Sequence, residues 1–357
     1  MNKHIFYIAA ACVALASCVK NEVRVNAPDQ EITFQTVSTK AGAAFDKGHK
    51  FYSYAYFLEK GKEWDTANNL STDAKAYIKN AQIYYDNQRG NYWAAADTYY
   101  WPKQGSLTFF AWTDDTDAPS VGTGASVSCA PTTGIKITNY SVKENKNKDI
   151  LVADIAKNKT ANESVTGRDW SNGVPTVFRH ALAKVEFKVN KKQAYPNVTF
   201  KVKSITLNNV STKGTFTQGS PTESWGWSGQ DTPDTLTVFS STEGMEVTKT
   251  AGPGSAEFDA LTSTEDYSIV LPQNFNNDTP TLTIVYDIIT SYITDHPVTE
   301  EVTETKPLKG IYKISEDTSG WECKKKYILG ITLGLNEIYW DPSVVDWDTS
   351  NVPGIEI

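Results

Sequence analysis

Three histidines, His49, His180 and His296, lie beyond the leader, and they are the first place to look for acid–base or metal chemistry. A metal centre needs donors at short spacing such as HxH or HxxxH, and none of the three has such a neighbour. His180 stands at the entrance of the alternating run Lys184 to Val189, where an imidazole reads as a structural residue rather than a general base. Asp114-Asp115-Thr116-Asp117 offers oxygen donors for calcium but lacks the glycine and terminal glutamate of an EF-hand loop, so it reads as a solvated turn. Cys129 and Cys323 are far apart, and sequence alone leaves open whether they pair. The 42 acidic residues present no motif that picks out a carboxylate pair for glycoside hydrolysis. Nucleophile elbow, phosphate-cradling loop and dinucleotide fingerprint are all missing from the chain. The expectation is a protein that is not an enzyme and that uses no cofactor or metal.

Two further kinds of chemistry are legible. Lys3 precedes an apolar run, Ile5 to Ala16, which is shorter than the ~20 residues that span a bilayer. It leads into Leu15-Ala16-Ser17-Cys18, which resembles the bacterial lipoprotein box. The resemblance implies cleavage before Cys18 and acylation of its thiol and amine, and several acyl chains anchor a protein stably to a membrane. Aromatic stacking is the other. Trp225 and Trp227 sit in a Ser- and Gly-rich stretch where an exposed loop would let them contact a glycan, and core packing reads equally well. Trp93 and Tyr99-Tyr100-Trp101-Pro102 read better as core followed by a proline edge than as a sugar platform.

These residues must be positioned by something, and the chain is well supplied to build it. It has 357 residues, 39% hydrophobic, 12% aromatic and 21% charged, which excludes a disordered protein. The net charge is −8 with no long basic run, which argues against a nucleic-acid partner. Period-2 alternation dominates, in Glu31 to Val37, Phe51 to Phe57, Lys184 to Val189, Phe200 to Leu207, Thr281 to Tyr286 and Tyr327 to Leu333. Turn signals at Asn208-Asn209, Lys213-Gly214, Gly252-Pro253-Gly254 and Asn276-Asn277-Asp278 break the runs at hairpin-like intervals. Ser71 to Ala81 has the propensity of a helix. The fold class is all-β, with β-sandwich domains. A polar stretch without periodicity between Lys157 and Val174 marks a boundary. The resulting division is a signal peptide over 1–17, a polar spacer over 18–30, a first sandwich over 31–165 and a second over 166–357.

An ordered set of segments resembles the fimbrillin family, the lipoprotein-derived pilus subunits of Bacteroidales. The segments are Thr39-Lys40-Ala41, Phe51-Tyr-Ser-Tyr-Ala-Tyr56, Tyr99-Tyr-Trp-Pro102 with Leu107-Thr-Phe-Phe-Ala-Trp112, Phe178-Arg-His-Ala-Leu-Ala-Lys-Val-Glu-Phe187, and Leu333-Gly-Leu-Asn336 with Val345-Asp-Trp347. The resemblance implies two tandem transthyretin-like Greek-key β-sandwich domains. It also implies a lipid-anchored precursor at the outer membrane, cut by a trypsin-like protease to remove its first strand, here Glu31 to Val37. Lys40 occupies the cleavage position where most relatives carry Arg. Arg24 is the alternative, although a cut there leaves the strand in place. A neighbour's C-terminal strand then fills the vacated groove by strand addition. The implied donor is Val344 to Ile357, with Val344, Val345, Trp347, Val352, Ile355 and Ile357 as its apolar side chains. The implied partners are other fimbrial subunits, the outer membrane through the lipid, and a host protein or glycan. A non-polymerising tip or anchor adhesin and a glycan-binding surface lipoprotein are the alternatives.

Overall fold

Alternating polarity gives each strand one face to bury, and strands so patterned assemble into layers. The computed structural model describes residues 31–347 apart from 39–44, 68, 162–163, 166–167, 170–172, 231–232, 253–254, 263–265, 292–295 and 313–318. Among the described residues the architecture is nearly all β, with one-turn helices at Leu70–Asp73 and Leu308–Ile311. The helix that the propensity of Ser71 to Ala81 allows is confined to its start. It stops at Asp73, and Lys75–Asp86 runs as a strand paired on both sides. A four-residue helical turn gains too few hydrogen bonds to propagate, whereas the strand buries Ile78 and Ile83.

The first sheet closes on itself. Phe51–Leu58, Lys75–Asp86, Tyr92–Ala95, Phe34–Ser38, Val174–His180, Leu151–Ala153 and Ser106–Thr113 hydrogen-bond in that order, and Ser106–Thr113 pairs back onto Phe51–Leu58. Closure leaves no open edge inside the ring. The ring encloses an aromatic core of Phe34, Phe45, Phe51, Trp93, Phe109 and Phe178. Every pair in it is antiparallel except one: the first strand, Phe34–Ser38, runs parallel to the return strand, Val174–His180.

Two four-membered runs of strands form the other main layers. Asp259–Leu261, Ala183–Lys191, Lys325–Leu333 and Ile338–Asp346 make one, and Pro233–Glu246, Val198–Ser211, Thr281–Thr290 and Val298–Pro307 make the other. Their inner residues, Val185, Phe187, Leu329 and Ile331 on one side and Phe200, Val202, Leu282 and Ile284 on the other, meet in a single hydrophobic cluster. The boundary expected at 165/166 cuts through a sheet rather than between sheets. The return strand belongs to the first ring, and Gly134–Ser141 pairs with Lys213–Thr217 across the same divide. A polar, aperiodic stretch marks a loop, and a loop does not end strand pairing. Asn208-Asn209 is likewise a bulge inside Val198–Ser211 rather than a turn, with Asn209 at φ 56°.

Candidate functional site

The first strand is built to be held on both sides. Ile32 and Phe34 are buried, and Phe34 meets the rings of Phe51 and Phe109 edge-on at centroid distances of 5.6 and 5.8 Å. The Ile32 amide donates to the Tyr99 carbonyl at 2.8 Å, and the Val174 amide donates to the Thr33 carbonyl at 2.7 Å. Gly173 makes the parallel approach possible: its φ is +108°, and a β-carbon there would lie 2.6 Å from the Phe34 carbonyl carbon.

A charged clamp grips the start of this strand. Arg89 Nη1 donates to the Glu31 carboxylate at 3.2 Å, and the Tyr92 hydroxyl donates to it at 3.1 Å. Arg89 is braced in turn by Asp86 at 2.6 Å and by the Ala95 carbonyl at 2.9 Å. The Arg89 side chain, together with backbone amides of the turn, holds the Asp86 carboxyl down at about 2. Nothing in the sequence pointed to Arg89. A lone arginine in a polar turn carries no signal until pairing brings the turn beside residue 31.

The closing strand, Ile338–Asp346, lies at the edge of its sheet, hydrogen-bonded to Lys325–Leu333 from Leu333↔Ile338 to Lys325↔Asp346. Val344 is 49% exposed and Val345 is half-buried. The Trp347 amide donates to the Lys324 carbonyl at 2.8 Å, and its ring stacks on His180 at 3.8 Å with an interplanar angle of 3°. His180 is buried and its Nδ1 bonds Asp149. Two of the sequence segments singled out above, around Phe178–Phe187 and Val345–Trp347, thus touch.

Cys18, Arg24, Lys40, Val352, Ile355 and Ile357 lie outside the described residues.

The tryptophan pair is half-buried and committed to packing. Trp227 Nε1 donates to the Ala181 carbonyl at 2.7 Å, and its ring packs near Tyr140 and Phe216. Trp225 stands edge-on to Phe216, donates to Glu223 at 3.1 Å, and has the Lys324 ammonium 3.8 Å from its ring centre. Trp93 and Trp101 are buried inside the ring.

The remaining candidates also serve structure. Asp114 caps its own loop, accepting from Thr116 Oγ1 at 2.5 Å and from the Ser120 amide at 3.1 Å, and Asp115 pairs with His49 at 3.1 Å. Among the described residues no group of three or more His, Cys, Asp or Glu is arranged to hold a metal ion. Cys129 and Cys323 are unpaired, and burial pushes both thiols upward, Cys323 to about 12. No described helix is long and apolar enough to cross a membrane.

A sequence family described as fimbrillin-like matches residues 32–347. A solved fimbrial protein from Bacteroides vulgatus aligns over 89% of this chain and 99% of its own, with a TM-score of 0.58 at 16% identity. A protein described as a candidate cell adhesion protein from Bacteroides uniformis aligns over 89% and 98%, with a TM-score of 0.47 at 13% identity. The C-terminally truncated tip fimbrial protein Mfa3 from Porphyromonas gingivalis aligns over 90% and 100%, with a TM-score of 0.35 at 10% identity. No curated protein matches by sequence.

Proposed function

The chain belongs to the fimbrillin-like family, and from that premise we propose that it is a structural subunit of a cell-surface fimbria, polymerised by strand exchange and serving adhesion. One observation carries the reading: the first strand is an integral stave of a closed ring. Taking it out would open two edges at once, along Tyr92–Ala95 and Val174–His180, and would uncover Phe51, Phe109 and their aromatic neighbours. Such a groove invites an extended segment whose backbone completes both ladders and whose alternate side chains refill the core. In this proposal the precursor is lipidated at Cys18 and sits on the outer membrane. A protease cuts after Lys40, and a neighbour's segment drawn from 344–357 takes the place of Glu31 to Val37. Arg24 is the lesser site, since cutting there frees the lipid and leaves the ring closed.

Nothing in the geometry favours a sugar-binding surface at Trp225 and Trp227, given how both rings are engaged. A tip or anchor role differs from a stalk role in whether the subunit accepts and donates a strand.

The test is made on the native producer. Sheared surface material is run unboiled and boiled on a denaturing gel, detected with an antibody to this chain, and its N-terminus is sequenced. Strand-exchange polymers give a heat-sensitive ladder of chains that begin at Ala41. A single band that still carries acylated Cys18 rejects the stalk role and leaves an anchor.

A further inference from the structure

Trp347 directly follows the closing strand, Ile338–Asp346. Two contacts hold it, and a third holds the residue before it. Its amide extends the ladder of the closing strand by bonding to the Lys324 carbonyl. Its ring lies flat on His180, only 2% of whose surface is exposed. Immediately before it, Asp346 pairs across the ladder with Lys325.

The seat under the ring is made in advance. Asp149 accepts from the Ile150 amide at 2.8 Å through one carboxylate oxygen and from His180 Nδ1 through the other. The Ala181 amide next to His180 donates to the Ile150 carbonyl at 2.8 Å. A buried imidazole fixed by a carboxylate has one orientation, and a flat ring face is what an indole stacks on. Return strand, Asp149 turn and Lys324 turn therefore converge on a single aromatic side chain.

We propose that Trp347, seated on His180, is the fixed root of the closing segment. Val344, Val345 and Trp347 then stay with their own subunit, and a donor drawn from 344–357 comes from the residues after Trp347. This narrows the donor of 344–357 to the stretch that contains Val352, Ile355 and Ile357. The second half of the inference rests on the strand-exchange reading; the first half does not.

Val344 and Val345 fit the assignment. Val344 is exposed at a sheet edge while its backbone is engaged with Tyr327, so moving it to another subunit would break a formed ladder to bury one modest side chain.

Two measurements decide the matter. In the unassembled chain, hydrogen exchange is followed at the amides of residues 338–347 in the wild type, Trp347→Ala and Trp347→Phe. A seated root predicts at least tenfold faster exchange at 344–347 in the alanine variant, and exchange within about threefold of wild type in the phenylalanine variant, which keeps a ring on His180. An alanine variant as protected as wild type overturns the root.

The second measurement ties the root covalently with Lys325→Cys and Asp346→Cys, which face each other across the ladder. Oxidised and reduced forms are then compared for assembly into heat-sensitive polymers. A root that stays at home predicts equal assembly, whereas loss of assembly only in the oxidised form overturns the proposal. Failure to assemble by the wild type and by both forms of the double variant instead defeats the strand-exchange reading and leaves the exchange result to judge the root.

Discussion

Phe34 concentrates the residue-scale argument. It is a buried aromatic on a strand that has an antiparallel neighbour on one side and a parallel one on the other, and its ring touches two strands of the closed sheet. Phe34→Ala is expected to cost about 3–5 kcal/mol, read as a lower midpoint in denaturant unfolding. Burial also sets an alkaline limit. Desolvation pushes Cys323 from 9.0 to about 12, and Tyr54 and Tyr327 from 10.0 to about 12. Above pH 9 the unfolded chain releases these protons while the folded chain keeps them. Their contribution is therefore complete below pH 9 and is lost as the pH rises toward 12. Urea midpoints taken from pH 8 to 11 should fall progressively, and both thiols should resist alkylation at pH 8 until denaturant is added. Single residues were only partly legible in the sequence. Trp225 and Trp227 read equally well as exposed and as packed, because their neighbours are Ser and Gly. Local composition does not report the Ala181 carbonyl and the Phe216 ring that arrive from distant strands.

At the scale of elements, period-2 patterning was enough to find most strands, because alternation reflects burial on one face and needs no knowledge of the partner. Lys184 to Val189 and Tyr327 to Leu333 fall inside the observed strands Ala183–Lys191 and Lys325–Leu333, which pair in parallel. What alternation cannot encode is which strand lies beside which. The return strand therefore looked like the start of a second unit. Gly173 makes the pairing testable. A β-carbon there would collide with the Phe34 backbone, and φ of +108° disfavours any side chain. Gly173→Ala should push the first strand off its parallel partner. Hydrogen exchange should quicken at residues 34–38 and 174–178 and stay unchanged at 325–333, in the remote sheet. Uniform quickening everywhere would mean that the ring and the remaining sheets unfold as one unit.

For the whole molecule, the consequence of closure is that one strand controls whether the ring has edges. A closed ring has none to offer a neighbour, so no strand can add to this sheet while its first strand is in place. Removing a single stave converts it into an acceptor with two half-ladders and an apolar floor, and the free energy forgone in opening the ring is recovered by whichever segment refills it. A chain that begins at Ala41 should accordingly bind an apolar dye strongly and melt well below the full chain. Adding a synthetic peptide of residues 31–38 should reverse both effects, because a ligand that binds only the folded form stabilises it by about 2.7 kcal/mol at a hundredfold excess over its Kd. The same peptide with Ile32 and Phe34 replaced by Ser keeps the backbone donors and Glu31 but not the side chains that enter the core, and it should fail to rescue. Rescue by both peptides would assign the joint to backbone pairing and the Arg89 clamp alone. An Ala41 chain that melts like the full chain would mean that the ring does not need its first strand, and the proposed route to polymers would close with it. Once refilled, the joint should open slowly, since the whole segment must leave its two ladders and its pockets together before any of the cost is returned by water.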